Sequence, residues 1–247
     1  MSGDRLLEHR RLWRRKPVLA EVYAVWFDEL LAALGRPRRV LEVGAGPGFL
    51  SEYARTRRPE ALWVSSDIAT VPWNDVVADA LRLPFRDGSF EAVTGFDIVH
   101  HLARPADFFR ETVRVLAPGG RIACVEPWIT PFSRPIYRFL HQEGYRPGLD
   151  PWRPFPDAKQ AFEGDGGLVS GLLRRARPSD WLALGLGQPR LRTLCGFAYL
   201  LSLGFRRGSL LPRPLCRPLL ALDRALSRFS GQLGMRALLV WERADSP

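Results

Sequence analysis

Residues 40–49 read ValLeuGluValGlyAlaGlyProGlyPhe, a short apolar run that ends in a turn with glycine at 44, 46 and 48. An apolar run of this length, rich in β-branched residues, reads as a buried strand. The glycines let the backbone turn sharply and come close to a ligand that a Cβ would hold away. A strand passing through such a turn into a helix is how open α/β sheets bind nucleotide-like ligands at their carboxyl edge. The dinucleotide pattern GxGxxG would place a glycine three residues past Gly46, where this chain has Phe49, so a different ligand is expected.

The text around this turn supports one α/β domain. Short apolar runs alternate with amphipathic stretches, predicting strands near 39–43, 62–66, 75–78, 91–96 and 120–126 and helices near 48–57 and 105–116. AlaProGlyGly at 117–120 is expected to stop the second helix and turn the chain into the next strand. Upstream, Pro17 suits a first helical position and Gly35 the residue after the end, and Val22, Trp26, Leu30 and Leu34 form a core-facing stripe between them. A place in the cleft for Tyr23 or Trp26 is the alternative. From Pro127 to about Pro189 the chain is rich in Pro, Trp, Arg and Gly without a period, which reads as an insertion or lid. A strand near 191–197, an arginine-rich helix near 218–229 and a last strand at 236–242 follow. The organisation expected is a helical cap over 1–36, a ligand-binding core over 37–126, the insertion over 127–189 and the rest of the sheet over 190–247.

Further motifs follow in a fixed order. Asp67 ends the second strand 21 residues past Gly46, AlaAspAlaLeuArgLeuProPhe occupies 78–85, SerPheGluAlaValThrGlyPheAspIleValHisHisLeu occupies 89–102, and ArgValLeuAlaProGlyGlyArg occupies 114–121. With the glycine turn, this series over residues 38–126 resembles the class I S-adenosylmethionine (SAM)-dependent methyltransferases, in particular the subgroup of quinone and small-molecule methyltransferases. The resemblance implies a Rossmann-like seven-stranded α/β sheet with the last strand antiparallel and helices on both faces. It also implies SAM as cofactor. Glu42, Gly44, Ala45, Gly46 and Gly48 would lie along its methionine part, Asp67 with Ile68 at the ribose, and Asp79 with Ala80 at the adenine, walled by Phe96. Only eleven residues separate Asp67 from Asp79, so the helix usual between those strands is expected to be missing or a single turn, leaving adenine more exposed.

The reaction implied is direct displacement at the sulfonium methyl, for which the protein mainly aligns acceptor, methyl and sulfur. A base is needed only when the acceptor loses a proton. His101 and His100 are the candidates, and neighbours on a helix diverge enough that one of them at most faces the acceptor. Glu126, at the end of the fifth strand, and Tyr137 and Trp152 of the insertion are candidate acceptor contacts, with Trp128, Tyr145 and Phe155 adding flat faces. These point to a small acceptor, apolar or lipid-like. A SAM-binding protein without turnover is the alternative. A nucleic-acid methyltransferase is a further one, but PheAspIleVal stands where amino-directed enzymes of that class carry an AsnProProTyr-like tetrapeptide.

The formal net charge is +10, carried almost wholly by arginine, since Lys16 and Lys159 are the lysines. A basic surface attracts anionic partners. In the helix near 218–229, Leu219, Leu222, Leu226 and Phe229 are expected on one side and Arg217, Arg224 and Arg228 on the other, packed on the sheet or touching a membrane surface. No specific nucleic-acid partner is expected. Three widely spaced cysteines suggest neither disulfides nor a metal site. The charged start of the chain lacks the apolar core of a secretory signal, so a cytoplasmic location is expected.

Overall fold

The computed structural model describes residues 2–139, 152 and 164–244. Its first helix, α1 (Ser2–Arg15), carries too few apolar residues to show a stripe in the sequence, and it docks through Leu6. In α2 (Pro17–Leu34), Pro17 holds the first turn and Gly35 leaves the helix at φ +73°. Its apolar face is wide, burying Tyr23 and Phe27 as well as Trp26 and Leu30. Then come β1 (Arg39–Val43), α3 (Phe49–Arg57), β2 (Leu62–Asp67), β3 (Val76–Val77), β4 (Phe90–Phe96), α4 (Pro105–Val115) and β5 (Leu116–Pro127). Residues 68–75 form turns and no helix, in line with the short spacing between Asp67 and Asp79.

The chain continues through α5 (Ser133–Phe139), α6 (Leu168–Arg175), α7 (Pro178–Ala183), β6 (Arg190–Leu194), α8 (Phe197–Ser202), α9 (Arg213–Leu226) and β7 (Arg236–Glu242). Among the described residues the sheet has seven strands in the order β3-β2-β1-β4-β5-β7-β6. Strands β1 to β5 run parallel, and β7 is antiparallel to both β5 and β6. Strand alternation divides the core: Val40, Ala92, Ala123 and Val125 face α2, α3, α8 and α9, whereas Leu41, Val93, Ile122 and Cys124 face α4, α6 and α7.

Three expectations need correction. AlaProGlyGly does not precede the fifth strand. Pairing begins at Leu116 opposite Phe90 and resumes at Arg121 opposite Ala92, so Ala117–Gly120 bulges within β5 with Gly119 at φ +71°. The arginine-rich helix starts at Arg213, with Pro218 inside it, and buries Cys216 and Asp223 while Leu222 faces out, so its apolar face is rotated from the expected one. The insertion is in part a core element. Leu168, Leu172 and Trp181 pack with Phe109 and Trp241 against the sheet, and Trp152 meets Trp181 edge-on at 5.4 Å. Tyr145 and Phe155 lie outside the described residues.

Candidate functional site

Parallel strands end together, and the ends of β1, β2 and β4 open into a cavity of about 420 Å³. Its near end is the glycine turn, where Gly44 stands at φ +70° and a Cβ there would lie 2.5 Å from Ile98 Cδ1. Asp67 closes the side. Its Oδ2 accepts from Gly46 N–H and its Oδ1 from Ala69 N–H, both at 2.8 Å, so the carboxylate is held at the cavity wall with further lone pairs to offer. Glu42, Asp67 and Asp97 all line this cavity.

Glu42 is buried and accepts from Trp63 Nε1 at 2.7 Å. Burial pushes its carboxyl from 4.5 up to about 8, although the indole bond favours the charged form. With the folded value above the unfolded one, the stability Glu42 contributes is complete below about pH 4.5 and is lost as pH rises through about 8. Stability from urea unfolding should therefore fall between these limits with a slope approaching about 1.4 kcal/mol per pH unit from this group alone. Glu42→Gln, which can still accept the Trp63 bond, should remove that part of the slope. Identical slopes in the two proteins would mean that Glu42 is ionised in the fold.

The far end is aromatic. Tyr23, Trp26 and Phe27 from α2, Phe96 from β4, and Tyr199 and Phe205 from the α8 region line it. Tyr23 lies 5.3 Å from Phe96 and 5.8 Å from Phe205, and Trp26 lies 5.4 Å from Tyr199. The roof is held by α1 and the loop after α8: His9 stacks on Phe205 at 4.3 Å, and Lys16 donates to the carbonyls of Ser202, Gly204 and Arg206 at 2.7, 2.5 and 3.0 Å. Thus Tyr23 and Trp26, for which the cleft was the alternative to the core, occupy both places. They pack in the core and line the cavity.

Of the residues singled out in the sequence, Glu42, Gly44, Ala45, Gly46, Asp67, Ile68, Phe96, His101 and Tyr137 line the cavity. Gly48 caps α3 at φ +77°, where a Cβ would meet Trp73. Asp79 and Ala80 stand outside the cavity; Asp79 is exposed and accepts from Leu81 N–H. Glu126 is fully buried and serves the backbone. Oε1 accepts from the N–H groups of Ile98 and Val99 at 3.0 and 2.7 Å, and Oε2 lies 2.6 Å from His100 Nδ1. That pair turns His100 inward and leaves His101 at the cavity. Trp152 belongs to the core on the other face of the sheet.

Two of the lining residues that the sequence did not single out form an ion pair. Asp97 follows β4 in the left-handed region at φ +58°, and Arg236, the first residue of β7, is 4% exposed and donates through Nη1 to Asp97 Oδ1. Asp97, His100 and Glu126 bring ligand-type atoms within 4.8 Å of one another, but Asp97 pairs with Arg236 and His100 with Glu126. No described helix is long and apolar enough to cross a membrane.

Residues 41–124 match the model of a methyltransferase domain family. The chain is 31% identical over 220 residues to a protein of Roseiflexus castenholzii named demethylmenaquinone methyltransferase, covering 78% of this chain and 86% of that protein. It is 30% identical over 135 residues to an uncharacterized methyltransferase of a Mycobacterium species, covering 46% of this chain and 54% of the other, so the match spans about half the length of the mycobacterial relative. Among solved structures, a SAM-dependent methyltransferase from Archaeoglobus fulgidus superposes with a TM-score of 0.53 at 16% identity, covering 90% of this chain and 94% of that one, a likeness of fold.

Proposed function

Because the chain belongs to the class I SAM-dependent methyltransferases, we propose that it transfers the SAM methyl group to a small, flat, apolar acceptor held in the aromatic end of the cavity. The observation that carries this is the continuity of one cavity from the glycine turn and Asp67 to the wall of Tyr23, Trp26, Phe96, Tyr199 and Phe205. The residues at the near end fit SAM: Gly44 keeps the turn free of a side chain, and Asp67 at the cavity wall can accept from both ribose hydroxyls. Bound there, SAM supplies an electrophilic methyl group on a sulfonium.

The chain's own work is placement. Ring faces stack with a flat acceptor and expel water, and fixing two reactants in line removes much of the entropic cost of their meeting. An acceptor of the quinone kind, as in the name of the Roseiflexus relative, suits such walls. Where the acceptor loses a proton, His101, which lines the cavity, is the proposed receiver. The acceptor side assigned to 127–189 thus becomes mainly α1, α2 and the α8 region, with Pro127, Ile136 and Tyr137 contributing from the insertion.

Incubation with methyl-deuterated SAM and a fractionated cell extract tests this reading. Label should appear in organic-soluble aromatic compounds, and label found in nucleic acid or only in strongly polar metabolites would reject it. Asp67 provides a narrower check. Wild-type protein should bind S-adenosylhomocysteine roughly 10- to 100-fold more tightly than its 2′,3′-dideoxy analogue, the worth of hydrogen bonds to a charged group. Asp67→Ala should bring the two affinities together. Equal affinities in the wild type would confine Asp67 to holding the turn through Gly46 and Ala69.

A further inference from the structure

We propose that Arg236 and Asp97 form a subsite for an acidic oxygen, so that the acceptor carries a phenolic or similarly acidic hydroxyl on its flat ring. This rests on reading the aromatic end as the acceptor site. The reversal of β7 is what makes the subsite. Running antiparallel to both its neighbours, β7 begins where β5 and β6 end, and Arg236 pairs opposite Pro127 on the edge that carries the glycine turn. Asp97 reaches the same edge from β4, donating its own N–H to Val125 O and preceding the Ile98 that packs on Gly44. The pair therefore stands between the glycine turn and the aromatic wall.

The guanidinium is held for recognition and its hydrogen-bonding capacity is only partly used. Its centre lies 4.8 Å from the Trp26 ring, 5.2 Å from Phe96 and 5.5 Å from Tyr199, which fixes its plane by cation–π contact. An arginine offers five N–H donors, and among the described residues the side-chain acceptor recorded for it is Asp97 alone. Placing a charge in an aromatic wall is costly, and Asp97 itself takes a left-handed backbone conformation that is uncommon outside glycine, asparagine and aspartate. Burial works against the charged guanidinium, but Asp97 and the nearby tyrosines hold it above its ordinary value, so it stays cationic. A ring hydroxyl entering here can accept from the unused N–H groups of Arg236, which Asp97 holds in place, and its ionised form is stabilised by the fork. The oxygen thus anchors one edge of the ring while the aromatic faces hold the rest.

Two probes of equal shape separate the possibilities, both measured with S-adenosylhomocysteine present: 2-naphthol and 2-methylnaphthalene. Wild-type protein should bind 2-naphthol roughly 10- to 100-fold more tightly, as a charge-assisted hydrogen bond implies. The absorbance band of naphtholate should also appear at lower pH for the bound than for the free probe. Arg236→Met should remove both the preference and the spectral shift while leaving 2-methylnaphthalene and S-adenosylhomocysteine affinities in place. Arg236→Lys, which keeps the charge without the fork, should retain part of each. The wild-type comparison decides the matter even when a variant fails to fold. Equal binding of the two probes with no spectral shift overturns the subsite and leaves the flat-acceptor reading standing. If neither probe binds, the flat-acceptor reading fails and takes the subsite with it.

Discussion

Gly44→Ala is expected to weaken SAM binding by roughly 30-fold or more and to lower methyl transfer accordingly, with the chain still folded. Two costs fall on the same residue. Left-handed backbone at φ +70° costs a non-glycine residue about 1–2 kcal/mol. The new Cβ would also lie 2.5 Å from Ile98 Cδ1 and 3.0 Å from Ile98 Cβ, and overpacking of this kind adds about 1–3 kcal/mol. Ile98 is restrained on one side, because its N–H is held by Glu126 and its side chain also sits against Gly95, and on the other it lines the cavity. Relief comes from moving the turn out of its binding conformation or from turning Ile98 into the cavity, and either disturbs the SAM end. Gly119→Ala is the control, since φ is +71° there as well but no atom lies within 4 Å of the added Cβ. It should cost stability and leave SAM affinity unchanged. Adding Ile98→Ala to Gly44→Ala should recover the overlap part and not the backbone part. Calorimetry showing wild-type affinity in Gly44→Ala would reject this account of the turn.

The cofactor end was legible because its demands are local. A glycine pattern, a strand-terminal acid and a strand order are all consequences of short-range backbone rules, and Gly44, Gly46 and Asp67 line the cavity, whereas Asp79 and Ala80 stand outside it. The flanks of α2 were legible for the same reason, Pro17 and Gly35 being its two ends. The acceptor end was not, because it is assembled from α1, α2, α8 and the first residue of β7, and no period or spacing in the sequence announces that assembly. Arg236 and Asp97 are 139 residues apart and meet only through the antiparallel return of β7. Trp152 misled for a physical reason, although Tyr137 does line the cavity: large flat side chains serve a core as well as a cleft, and here Trp152 packs on Trp181 in the core. The bulge at Ala117–Gly120 shows a similar ambiguity, since ProGlyGly suits a loop and a strand irregularity alike.

Glu126→Ala should be the most destabilising single change at this edge, costing about 3–5 kcal/mol of folding free energy, because several buried groups lose their hydrogen-bond partner at about 1–3 kcal/mol each. Glu126 reads from the sequence as an acceptor contact, yet its oxygens are occupied from within the chain by Ile98 N–H, Val99 N–H and His100 Nδ1. Replacing it with alanine leaves those groups without their partner at a buried position. Because Ile98 follows Asp97 and packs on Gly44, the turn that shapes the cavity loosens at the same time. Glu126→Gln distinguishes the roles. Its amide oxygen can keep the two backbone bonds, and only the contact with His100 must be rearranged, which costs about 1–3 kcal/mol. A native domain has only about 5–15 kcal/mol in total, and one of this length loses about 2–4 °C in Tm per kcal/mol. Glu126→Ala should therefore melt roughly 10 °C lower and Glu126→Gln a few degrees lower. Urea unfolding of the two variants, each with and without His100→Ala, should give non-additive losses, because the pair is one interaction. A Glu126→Ala protein with wild-type stability and a loss confined to kcat would mean that the carboxylate acts on the acceptor after all.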